Sequence, residues 1–138
     1  MRVAIVYIPS RSPDALGAMA RSMAGAIEAR GHGTEVFAAR ADDSTRLTGF
    51  DYVIVGSEPA GALGKLPASV GEFLAQAGML GGKRSMAFVR KSGLGSARAL
   101  SRLMSAMESE GMIVNCAEVL SGERDAAEAA RAAPIERA

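Results

Sequence analysis

Val3-Ala4-Ile5-Val6-Tyr7-Ile8, closed by Pro9, is a continuous apolar run rich in β-branched residues. That is the composition of a strand buried on both faces at the centre of a parallel sheet. Working outward from it, Leu16, Met19, Ala20, Met23, Ala24 and Ile27 recur at the spacing of one helical face, and Gly31-His32-Gly33 stops the pattern. Thr34-Glu35-Val36-Phe37 alternates like a short strand, and the polar stretch from Arg40 to Thr48 has room for a loop or a single helical turn. A second buried strand is predicted at Tyr52-Val53-Ile54-Val55, ended by Gly56-Ser57, before a helix carrying Val70, Phe73, Leu74 and Ala77 on one face. Gly81-Gly82-Lys83 then precedes a strand at Ser85 to Val89. Leu100, Leu103, Met104 and Met107 mark a third helix stopped at Gly111, and Met112 to Leu120 is the last strand candidate. From Gly122 onward the Ala-, Glu- and Arg-rich tail, interrupted by Pro134, reads as one short terminal helix.

Strands alternating with helices need crossover connections, so the pattern predicts an α/β chain: a mainly parallel sheet covered by helices on both faces. At 138 residues it is read as one domain, residues 1–138. In such sheets ligands bind beyond the carboxyl ends of the strands, where the strand order reverses. Three loops therefore matter: Pro9 to Ala15, Ser57 to Leu66, and Arg90 to Ser96.

Composition excludes several classes. With 16 Lys and Arg against 15 Asp and Glu there is no broad basic footprint for duplex nucleic acid, and four Phe, two Tyr and no Trp make poor stacking platforms for single strands. One cysteine, Cys116, rules out an internal disulfide framework and any multi-cysteine metal site, and one histidine, His32, removes most histidine-based metal designs. Cys116 falls within a predicted strand as a small hydrophobe, and His32 in a turn at the amino end of the sheet as an exposed residue, so no nucleophile–base pair is expected and no catalytic residue is assigned. No apolar run approaches the roughly 18 residues of a membrane span, which makes a cytoplasmic location the expectation.

At the three loops the sequence resembles the flavodoxins. The first strand ends in Tyr7-Ile8-Pro9-Ser10-Arg11-Ser12. The middle segment, Gly49 to Leu74, carries in order Asp51, Gly56-Ser57, Pro59 and Phe73-Leu74; Leu80 to Val89 and a helix leading to a closing strand complete the resemblance. It implies a flavodoxin-like, doubly wound, five-stranded parallel sheet of order 2-1-3-4-5 in three α/β/α layers. It also implies FMN at the carboxyl edge, serving electron transfer or flavin-dependent reduction with a redox partner protein. On the matching positions the cofactor-binding residues would be Ser10, Arg11, Ser12, Pro13, Asp14 and Ala15 around the phosphate, with Ser57, Glu58, Pro59, Ala60, Gly61, Lys91, Gly93 and Leu94 along the ring.

The same residues admit another reading. Where the family's first loop has Gly-Asn-Thr, this chain has Pro13-Asp14-Ala15. Ser12 as N-cap, Pro13 at the first helical position and Asp14 in the first turn already make a self-sufficient helix start. Neither ring-flanking loop contains an aromatic residue, Tyr52 lies at the wrong end of its strand, and Tyr7 suits the core. A flavodoxin-fold binding or interaction module without flavin is therefore the alternative. Other motifs fail on residues: Gly93-Leu94-Gly95 is followed by Arg98 where a dinucleotide fingerprint needs glycine. Gly64-Lys65 lacks both the first glycine and the hydroxyl residue of a P-loop. A two-component receiver would need an aspartate where Gly56-Ser57 stand.

Overall fold

The computed structural model describes residues 1–39 and 47–136. Its strands are β1 (Arg2–Ile8), β2 (Gly33–Ala38), β3 (Tyr52–Ser57), β4 (Arg84–Arg90) and β5 (Ile113–Leu120). All pairings are parallel, in the order β2-β1-β3-β4-β5. The helices are α1 (Pro13–Glu28), α2 (Ser69–Gln76), α3 (Ser96–Ser109) and α4 (Glu123–Ala132). The sheet order implied by the resemblance is the one observed. The loop or single turn expected between Arg40 and Thr48 falls largely on residues 40–46, outside the described residues.

Strand alternation divides two apolar faces between two helical layers. Val3 and Ile5, Tyr52 and Ile54, and Met86 and Phe88 turn to one side, where they pack with Leu16, Met19, Met23 and Ile27 of α1 and with Ala126, Ala129 and Ala130 of α4. Ala4, Val6 and Ile8, Val53 and Val55, and Ala87 and Val89 turn to the other, against Val70, Phe73 and Leu74 of α2 and Leu103 and Met107 of α3. A sheet apolar on both faces is the reason β1, β3 and β4 read as unbroken hydrophobic runs. The alanines of α4 let it lie close on α1. Ser22 Oγ donates to the Glu123 carbonyl at 2.8 Å and Arg30 Nη1 to the Ala130 carbonyl at 2.7 Å, so the terminal helix is docked at both ends.

Between the central strands, Gly56 of β3 stands directly across from Phe88 of β4. The buried Phe88 ring lies over the glycine: a Cβ there would fall within 2.6 Å of three ring carbons. The glycine that ends the β3 run thus makes room for one of the largest groups in the core.

Candidate functional site

The strand order reverses between β1 and β3, and the register pairs Ile8 with Ser57 at the carboxyl ends. The segment after β1 and the segment after β3 therefore emerge side by side. Ser57 is fully buried, and its Oγ donates to the Ile8 carbonyl at 2.8 Å, tying the two strand ends together.

The next residue defines the site. Glu58 is 1% exposed, and its Oε2 accepts hydrogen bonds from three successive backbone N–H groups: Ser10 at 2.9 Å, Arg11 at 3.0 Å and Ser12 at 2.8 Å. Its Oε1 lies 3.6 Å from Arg90 Nη1 at the end of β4. Consecutive N–H groups converging just before a helix form an anion-binding concavity, which the positive end of the helix reinforces. The concavity at the start of α1 therefore holds an anion, and that anion is a carboxylate of the chain itself.

This settles the local roles of the first loop. Ser12 occupies the N-cap position and Pro13 begins α1, as the helix-start reading expects, but the Ser12 side chain makes no capping hydrogen bond. Its backbone N–H goes to Glu58 instead. Pro13 and Asp14 are exposed in the first turn, followed by Ala15. The segment does form an anion cradle, yet Glu58, placed by sequence along a ring, occupies the cradle's centre. The residues present do not fit a flavin phosphate in this arrangement, because its three donors are already used.

The other two loops are fused to each other. Gly64 and Gly95 have φ of +77° and +92°, and a Cβ on Gly95 would lie 2.6 Å from Gly64 N while one on Gly64 would lie 2.7 Å from the Gly95 carbonyl. These two glycines permit loop-to-loop contact rather than approach to a ligand. Ala60 N–H closes its own loop on the Lys65 carbonyl at 2.6 Å, and Arg102 Nη1 reaches the Leu63 carbonyl at 3.2 Å. What remains open is a cleft of about 150 Å³ lined by Arg11, Pro59, Gly61, Ser92, Gly93 and Leu94. Of the residues assigned from sequence, Arg11, Pro59, Gly61, Gly93 and Leu94 meet there. Ser57 and Glu58 lie buried beside it, and Lys91 is exposed with its N–H on the Leu120 carbonyl. Leu94, which lines the cleft, is 81% exposed, and Leu63 in the loop after β3 is 74% exposed.

No aromatic ring lines this cleft. Tyr7 packs over Gly17 of α1. Tyr52 is buried at the amino end of β3 and donates to Asn115 Oδ1 at 2.7 Å; burial, reinforced by Cys116, holds its hydroxyl far above the usual tyrosine range. Burial, with Glu118 nearby, likewise pushes the half-buried Cys116 thiol up, which disfavours the nucleophilic thiolate. His32 is not the exposed turn residue expected: its side chain lies between the Met1 amino group, 3.2 Å from Nδ1, and Glu136 Oε1, 3.0 Å from Nε2. A roomier depression, about 510 Å³, lies between α3, β5 and α4, with Glu118, Asp125 and Glu128 on its walls. Among the described residues no group of three or more His, Cys, Asp or Glu is arranged to hold a metal ion, and no helix is long and apolar enough to cross a membrane.

No family model and no curated protein matches the chain. Solved structures do. Oxidised Flavodoxin 1 from Bacillus cereus is 19% identical with a TM-score of 0.68, over 95% of this chain and 93% of that one. The two-electron reduced flavodoxin of Megasphaera elsdenii is 21% identical with a TM-score of 0.69, over 95% and 99%. A flavodoxin, WrbA-like protein from Agrobacterium tumefaciens is 18% identical with a TM-score of 0.65, over 94% and 90%. Strand order, layer assignment and these near full-length superpositions agree: the chain has the flavodoxin fold.

Proposed function

We propose that this chain is a flavodoxin-fold binding module that does not carry FMN in its first loop. One observation carries the reading: the three N–H groups at the start of α1 are saturated by the buried carboxylate of Glu58. A phosphomonoester entering there would have to expel a tethered anion or sit beside it against like-charge repulsion. Two further features agree. The fused second and third loops leave a cleft of only about 150 Å³, and no aromatic residue stands ready to flank a flat ring. The contact face is then the surface of these loops, where Leu94 lines the cleft together with Arg11 and Leu63 is exposed in the loop after β3, and exposed apolar side chains suit a partner protein better than a buried cofactor.

A second reading, an FMN-dependent electron carrier, has the fold and the placement of all three loops at the carboxyl edge in its favour. The deciding experiment is a titration of the purified native chain with FMN, followed by quenching of flavin fluorescence. The binding-module reading expects no flavin absorbance in the purified protein and no saturable quenching at high micromolar FMN. Saturable binding at one equivalent would overturn it in favour of the electron carrier.

A further inference from the structure

The geometry points to Glu58 as the built-in occupant of a phosphate-type oxyanion site: the site is complete in the fold, and the chain closes it from within. This inference rests on the reading that the native chain holds no flavin phosphate there, and goes further by naming the group that excludes it and the ligand class that its removal admits.

The donors decide the chemistry. All three hydrogen bonds to Oε2 come from the backbone of consecutive residues, at 2.8 to 3.0 Å, so the cradle recognises an oxyanion and nothing specific to a glutamate. Arg90 faces the other carboxylate oxygen, and a guanidinium is suited to phosphate as well as to carboxylate. Arg11 contributes its N–H to the same cradle and also lines the adjoining cleft, so a second cationic residue borders the site. Among the described residues the hydrogen-bond and ion-pair partners of Glu58 are the three amides and Arg90.

The fold also explains why the occupant stays. Because Ile8 pairs with Ser57, residue 58 leaves β3 directly beside the loop after β1, and the alternation that turns Ile54 and Gly56 toward α1 directs residue 58 to that face too. A carboxylate tethered by one residue to a buried strand end competes intramolecularly, at an effective concentration that free phosphate does not match at ordinary levels.

The test is Glu58→Ala, probed with inorganic phosphate at constant ionic strength against chloride and followed through the backbone amide resonances of Ser10, Arg11 and Ser12. The expected result is saturable movement of these three amides in the variant, with an affinity at least about tenfold above any response of the native chain. A variant whose three amides respond no more than those of the native chain overturns the inference. Should Glu58→Ala not fold, Glu58→Gln keeps the side-chain volume and removes the charge. Weaker acceptance by the neutral amide then shifts the same three amide protons upfield and speeds their exchange, whereas unchanged shifts and exchange overturn the proposal. The two readings fail separately. Saturable FMN binding by the native chain sinks the proposed function, while a native chain silent to FMN beside a variant silent to phosphate sinks this inference alone.

Discussion

Replacing Gly56 with alanine tests whether the central strands are held in register by the Phe88 ring. The added Cβ falls within 2.6 Å of three ring carbons, whereas ordinary contact begins at 3.4 Å. Phe88 is fully buried in the layer under α1 and α4, so the ring has no solvent to retreat into and must move by roughly 1 Å or distort β3. Overpacking of this kind costs about 1–3 kcal/mol, offset in part by the roughly 0.5–1 kcal/mol that alanine gains over glycine within a strand. The net expectation is a loss of about 1–2 kcal/mol, or roughly a 1 M drop in the urea midpoint for a slope near 1.5 kcal/mol/M. The discriminating measurement is the same substitution in a Phe88→Ala background. With the ring gone, Gly56→Ala is expected to be neutral or slightly stabilising, giving a coupling of about 2 kcal/mol between the two sites. An equal cost in both backgrounds would refute the steric account and leave only an effect of backbone conformation.

Two further predictions concern groups far from the loops. Hydrogen bonding from His32, and then Arg30, holds the Glu136 carboxyl below the usual glutamate range. The folded chain therefore binds fewer protons there than the unfolded one, and the stabilisation is present above the ordinary glutamate pKa and lost as pH falls through the folded value. Urea midpoints of the native chain and Glu136→Gln should differ near about pH 7 and converge near about pH 3; a difference independent of pH would refute the assignment. Burial keeps the Tyr52 hydroxyl protonated well above the usual tyrosine range. In a Tyr7→Phe chain, which retains Tyr52 as its only tyrosine, phenolate absorbance should appear only on alkaline unfolding. Stability should fall as pH rises past roughly 10, because the unfolded state releases a proton that the folded state keeps. Phenolate absorbance in the folded chain near that pH would sink the claim.

Most of the sheet was legible because its evidence is local. β1, β3 and β4 are buried on both faces, which demands an unbroken apolar run, and the glycines and prolines between elements mark where each run must stop. β2 and β5 lie at the two edges, alternate between half-buried and exposed residues, and gave shorter or vaguer signals. The docking of α4 was not legible. Its helix-forming composition marks a helix but not a partner, and only the fold brings its alanines onto Leu16, Met23 and Ile27 of α1 and its ends onto Ser22 and Arg30. His32 departs from expectation for the same reason: a turn histidine has the sequence context of a solvated residue, and only the fold brings Met1 and Glu136, from opposite ends of the chain, around it.

At the candidate site the three loops named from sequence do lie together at the carboxyl edge, but the hydrogen bonds between the first and the second were not legible. Glu58 sits in a loop of small and charged residues, where a glutamate ordinarily points to water, and its backbone partners Ser10, Arg11 and Ser12 are nearly fifty positions away. Backbone donors also leave no trace in residue type, so a cradle built from N–H groups can be inferred from a resemblance but not read from side chains. One signal was nevertheless present. If β1 and β3 are parallel neighbours and both end at the switch point, the first residue beyond β3 must lie beside the loop beyond β1. An acidic residue at that place faces a helix N-terminus, where a negative charge is favoured. A glycine or serine at position 58 would leave the three donors to an external anion, and glutamate has the length to reach all three. The flavodoxin scaffold does not by itself bring a phosphate site into use; in this chain the residue following Ser57 determines whether that site is open.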